Sequence, residues 1–171
     1  MTGRGLIPAA LGVAVTVAAL CLWLIPAQGQ PAPEVAVTTL SGKRLQLDEL
    51  QGKPVMLQFW ATTCTTCVAE IPHLKDLHGE FTDDGLRLVA VAMPYDPPEQ
   101  VRRMAQDKAL PYTVALDREG AITKAFGDVR LTPTTVLVDA QGRIAWKRQG
   151  RLDFNQLKSE IKARLKTAGK G

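Results

Sequence analysis

The chain has 171 residues, 46% of them hydrophobic and 22% charged, with a formal net charge of +4. Once a hydrophobic N-terminus is set aside, that is enough for one domain with one core and too little for two. Lysines and arginines are interleaved with acids, with only a mild basic run over Lys158–Lys170, so a solvated helix face is expected there and nucleic-acid binding carries no weight.

Leu6–Ile25 is uncharged throughout, preceded by Arg4 and followed by Pro26. A secretory apolar region is about 7–15 residues long, whereas a spanning helix needs about 20. The length predicts a signal-anchor over residues 1–27 with Arg4 on the cytoplasmic side. Ala27-Gln28-Gly29 would serve as a cleavage site, which leaves a cleaved, soluble periplasmic form as the alternative. Either way the remainder is exported, to a compartment where disulfides persist. Cys21 lies inside the apolar run and reads as a small hydrophobe; lipidation is disfavoured because Leu20 precedes it and the run continues through Leu22–Ile25.

Residues 28–34, with two prolines, read as a tether, and residues 35–171 as the domain. Val35–Leu40 and Arg44–Leu47 alternate around Ser41-Gly42-Lys43 and predict a hairpin. Asp48–Leu50 is a short helical turn. Val55–Phe59 is a near-continuous apolar strand, as expected when both faces are covered. A helix follows over 64–81, with Cys67, Ile71, Leu74, Leu77 or His78, and Phe81 at three- and four-residue steps; Pro72 should kink it. Leu86–Met93 is the second central strand. Pro97-Pro98 opens a helix over 99–108 with Val101, Met104 and Ala105 on one face. A short strand over 112–115, a turn at Asp117–Gly120 and a short helix over 121–126 come next. Thr134–Val138 and Ile144–Lys147 form a second hairpin around Asp139-Ala140-Gln141-Gly142. Asp153 caps the last helix, with Gln156 completing a capping box, and Phe154, Leu157, Ile161 and Leu165 make its buried stripe.

Cys64-Thr65-Thr66-Cys67 carries the chemistry. An apolar strand ends, a polar turn follows, and the cysteines open a helix. A thiol there meets unpaired backbone N–H groups and the positive end of the helix dipole, which favour the reactive thiolate. Two cysteines at this spacing can close on each other, so the arrangement takes up and gives away electron pairs. Cys64, nearer the strand end and the solvent, is assigned as nucleophile; Cys67, a turn deeper, resolves the mixed disulfide. A purely structural disulfide is disfavoured because so small a loop removes little unfolded-state entropy. Zinc is disfavoured because four ligands are needed and His73 and His78 are the only histidines, five residues apart and facing differently. No metal site and no cofactor are expected. Glu70 follows Cys67 by one helical step, where a carboxylate can take the resolving thiol's proton.

Phe59-Trp60-Ala61 with Cys64-x-x-Cys67, Glu70-Ile71-Pro72, Leu131-Thr132-Pro133-Thr134-Thr135 before Val136–Asp139, and Gln141-Gly142-Arg143 together resemble the thioredoxin superfamily, in its membrane-tethered TlpA/ResA-type branch. The resemblance implies an α/β thioredoxin fold: a mixed central sheet flanked by helices, with an N-terminal β-hairpin, a central αβ insertion over Pro97–Ala115, and one N-terminal transmembrane helix. It implies a cis bond before Pro133, substrate-strand pairing along Thr132 and Pro133 beside Cys64, and Trp60 among the substrate-binding residues as the ring that floors the active site, although a tryptophan at a strand end also suits plain packing. It also implies the glutamate role for Glu70, since Gln58 stands where thioredoxin itself has a titrating aspartate. The implied activity is reduction of protein disulfides in the periplasm, fed by a membrane electron-donor thiol protein, from a monomer held at the bacterial inner membrane. A cytochrome c maturation role is an alternative, although such chains usually carry an acid where Thr134 stands. Copper delivery or redox sensing on the same fold is another, although Sco-type carriers resemble CxxxC plus a distant histidine and none follows His78. The Thr-Thr dipeptide departs from Gly-Pro, and Thr63 stands where a tryptophan is usual.

Overall fold

The computed structural model describes residues 29–50 and 52–169. The signal-anchor over 1–27 and Cys21 lie outside the described residues. No helix among the described residues is long and apolar enough to cross a membrane.

The strands are β1 (Ala36–Thr39), β2 (Arg44–Gln46), β3 (Val55–Trp60), β4 (Arg87–Ala92), β5 (Thr113–Leu116), β6 (Thr134–Val138) and β7 (Ile144–Gln149). They form one seven-stranded sheet in the order β2-β1-β5-β4-β3-β6-β7. β3 lies between β4, which is parallel, and β6, which is antiparallel. Every residue of β3 is buried, which its unbroken apolar run requires of a strand covered on both faces. The αβ insertion does more than lengthen the sheet. β5 pairs with β4 on one edge and with β1 on the other, so it joins the N-terminal hairpin to the core.

Helices α1 (Thr65–Phe81), α2 (Pro98–Asp107), α3 (Ala121–Ala125) and α4 (Phe154–Ala168) cover the two faces. Met56 and Trp60 of β3 pack with Leu74, Leu77 and Phe81 of α1, Val101 of α2, and Leu157 and Ile161 of α4. The alternate residues Val55, Leu57 and Phe59 pack on the other face with Ile122 and Phe126. The period of two along β3 therefore decides which side chains face the helix that carries the cysteines. Within α1, Leu77 takes the buried position and His78 stays half-buried against Tyr112. The helix continues through Pro72.

Part of the segment read as a tether is hydrogen-bonded to the domain. Ala32 donates its N–H to Gly142 O at 2.8 Å, Ile144 N–H reaches Gln30 O at 2.8 Å, and Arg143 Nη1 reaches Gly29 O at 2.8 Å. Residues 29–32 thus run along the start of β7. The approach is so close that a Cβ at Gly29 would lie 2.1 Å from Ile144 O, so only glycine fits there.

Candidate functional site

β3 ends at Trp60, and the chain turns back at once: Cys64 N–H donates to Ala61 O at 3.1 Å. Cys64 is the N-cap of α1, and its sulfur accepts the Cys67 backbone N–H at 3.2 Å. That bond uses one of the donors that every helix start leaves unpaired. Cys64 and Cys67 are joined as a disulfide with Cα atoms 5.2 Å apart. Cys64 is half-buried and Cys67 is 2% exposed. One sulfur is thus reachable and the other sits behind it.

The loop before β6 comes alongside because β6 runs antiparallel to β3, with Thr134 opposite Phe59. The Thr132–Pro133 bond is cis, as the resemblance implies. Thr134 Oγ1 donates to Leu131 O at 2.7 Å, and Gly150 N–H donates to Pro133 O at 2.8 Å. Thr132 is half-buried, and its own backbone makes no hydrogen bond among the described residues.

Glu70 is 5% exposed, on the face of α1 that carries Cys67. Its Oε1 accepts the Leu152 N–H at 2.8 Å, and its Oε2 has no partner. Burial pushes its carboxyl above the ordinary carboxylate range; the Leu152 bond and the positive charges of Arg151 and His73 pull it partly back. Gln58, across the sheet from Thr135, accepts that hydroxyl's hydrogen bond at Oε1 and leaves Nε2 unpaired. Trp60 Nε1 is unpaired as well. These are the unpaired buried side-chain atoms among the described residues; Gln58 and Trp60 lie near Cys67, and Glu70 follows it by three residues in α1. A cavity of about 10 Å³ lies there, bounded by Gln58, Trp60, Cys67, Ile71, Ala90 and Tyr112.

Trp60 is 3% exposed and packs in the core beside Cys67, so it meets the site from inside. The reason is strand parity: Trp60 shares with Met56 the face that α1 covers. His73 is exposed and stacks near Phe154, with ring centroids 4.9 Å apart. Among the described residues no group of three or more His, Cys, Asp or Glu side chains is placed to hold a metal.

One contact near the disulfide has no sequence signal. Asp96, in the loop after β4, is buried and takes both the backbone N–H and the hydroxyl of Thr62. The partners are 34 residues apart, and Asp96 reads in sequence only as a polar loop residue before Pro97-Pro98.

Comparison with known proteins places this geometry. The pattern of the Redoxin family matches residues 27–163. The thiol-disulfide oxidoreductase ResA of Bacillus thuringiensis subsp. konkukian is 31% identical over 134 residues, covering 78% of this chain and 76% of that protein. The thioredoxin-like protein YneN of Bacillus subtilis is 32% identical over 138 residues, covering 78% of each. Among solved structures, a Neisseria meningitidis protein described as a thioredoxin superposes with a TM-score of 0.75 at 34% identity, covering 81% of this chain and 91% of that one. A Chlorobium tepidum protein described as a DsbE thiol:disulfide interchange protein superposes at 0.74 with 26% identity, covering 81% and 97%.

Proposed function

The chain belongs to the Redoxin family and is a thiol-disulfide oxidoreductase, and from that premise we propose that Cys64 and Cys67 are its working dithiol, with Cys64 the nucleophile. One observation carries this: the disulfide sits at the start of α1 with Cys64 accessible and Cys67 behind it. In the reduced protein the Cys64 thiolate attacks one sulfur of a substrate disulfide. The substrate's other sulfur leaves as a thiolate and takes up a proton. Cys67 then loses its proton and attacks Cys64 Sγ, which breaks the mixed disulfide and releases the second substrate thiol. The substrate gains two electrons and two protons, the Cys64–Cys67 disulfide forms, and a donor dithiol restores the pair.

Glu70 is the acceptor for the Cys67 proton in this scheme. Its unpaired Oε2 is open to a proton, and burial, by raising its pKa, makes the carboxylate a stronger base. Thr132 supplies backbone groups for an extended substrate segment. The reductive direction, the donor thiol protein and an exported, membrane-anchored location complete the reading; the last is supported by the uncharged stretch Leu6–Ile25.

The test is trapping. Cys67→Ser should accumulate mixed disulfides with disulfide-bearing proteins through Cys64, and Cys64→Ser should accumulate none. The reverse pattern would exchange the two roles.

A further inference from the structure

Asp96 is 5% exposed, and both its carboxylate oxygens are spent on one residue of the redox turn. Thr62 N–H donates to Oδ2 at 2.6 Å, and Thr62 Oγ1 donates to Oδ1 at 2.6 Å. Gln100 Oε1, on the first turn of α2, stands 3.4 Å from the same hydroxyl. Two hydrogen bonds to one residue fix its orientation, and burial keeps water from competing for them. The gripping loop is itself held: Asp96 N–H reaches Met93 O at 3.0 Å, and Met93 N–H reaches Trp60 O at 3.0 Å. Thr62 lies inside the turn from Ala61 to Cys64, two residues before the sulfur that attacks. The loop that opens the αβ insertion therefore holds the redox turn from the side, with two bonds that fix orientation as well as distance. No step of the dithiol cycle consumes this carboxylate.

We propose that Asp96 is a positioning residue for thiol exchange, acting through Thr62. Its grip fixes the turn over 61–64 so that Cys64 Sγ meets the substrate disulfide in line. Sulfur exchange needs attacking, central and leaving sulfurs aligned, so small displacements of the nucleophile cost rate. The inference rests on Cys64 being the attacking thiol.

The test uses the full-length protein, recharged by dithiothreitol, with insulin as the disulfide-bearing probe. Asp96→Asn and Thr62→Val should each lower kcat by about tenfold with KM unchanged. The double variant should fall no further than about tenfold, because both changes remove one shared interaction. Thr62→Ser, which keeps the N–H and the hydroxyl, should retain the parent rate. A parent kcat in the single variants, a double variant near 100-fold down, or a Thr62→Ser rate as low as that of Thr62→Val would overturn the proposal. So would a fall in melting temperature with kcat intact, which is all that a merely structural role predicts. If Asp96→Asn does not fold, the contrast between Thr62→Val and Thr62→Ser decides alone. Trapping by Cys67→Ser separates the two levels. No trapped species means the nucleophile assignment has failed; normal trapping with normal turnover in the Thr62 and Asp96 variants means only the positioning role has failed.

Discussion

Glu70 is the residue where burial and the proposed chemistry meet. An isolated buried carboxylate is unfavourable, and this one keeps one oxygen unpaired, three residues along α1 from Cys67. Its folded pKa lies above the 4.5 of an ordinary glutamate, mainly because burial penalises the charged form. The linkage sign follows. The unfolded chain releases this proton near pH 4.5, while the folded protein holds it to higher pH. The group's contribution to stability is therefore fully present below about pH 4.5 and is lost as pH rises through the folded pKa. Glu70→Gln cannot ionise and keeps an acceptor for the Leu152 N–H. Urea denaturation at several pH values should show the glutamine variant gaining on the parent above pH 4.5, then levelling off. A difference that stays flat with pH would show that the carboxyl is not perturbed by folding. The same variant should slow the resolving step by about 10²-fold, the lower range for loss of a positioned base. Stopped-flow decay of the mixed disulfide measures that step directly, and an unchanged rate would remove Glu70 from the mechanism.

At the scale of elements, α4 has a cap and a buried stripe that can be tested separately. Asp153 Oδ1 accepts the N–H groups of Asn155 at 3.0 Å and Gln156 at 3.1 Å, and Leu157 and Ile161 are wholly buried. Asp153→Ala should cost about 1 kcal/mol in denaturant unfolding. Leu157→Ala should cost about 2–5 kcal/mol, because the loss includes the cavity left under the sheet. Equal costs would mean that the stripe collapses around the truncation. Both features were legible in the sequence, since caps and helical periodicity are local. So were β3, both hairpins, α1 with its cysteines, and the proline loop, each marked by residues adjacent in the chain. What the sequence could not show depends on contacts between distant segments. Glu70 has the composition of a solvated helix face, and only Leu152, 82 residues on, reveals that it is enclosed. Asp96 and Thr62 share no pattern. Trp60 was legible as an aromatic at a strand end, but its side of the sheet was fixed by α1 docking over it. The pairing of β5 with β1 was hidden for the same reason.

Across the whole molecule, the redox chemistry sits at one end of the sheet and the N-terminal chain leaves from the other. β3 runs toward Cys64, and β6 starts at Thr134 beside that end and runs away from it to the turn at 139–142. Residues 29–32 are bonded at Gly142–Ile144, so the chain enters the domain at the pole opposite the disulfide. The two large apolar side chains that stay exposed among the described residues, Tyr95 and Leu131, lie at the redox pole, on the loops that flank the end of β3. On the proposed reading of Leu6–Ile25 as an anchor, the expected arrangement has Cys64 facing away from the bilayer. Two measurements on intact cells and their membranes check this arrangement. The full chain should remain in the membrane pellet at high salt, because an apolar helix of about 20 residues is not displaced by screening. After mild reduction, a membrane-impermeant maleimide added outside the inner membrane should label Cys64 at a rate close to that of the detergent-solubilised protein. A labelling rate that rises manyfold on solubilisation would mean that the disulfide faces the bilayer, against the polarity of the sheet. Recovery of a soluble species that begins near Gln30 would show that the N-terminal segment is cleaved and that the domain works free of the membrane.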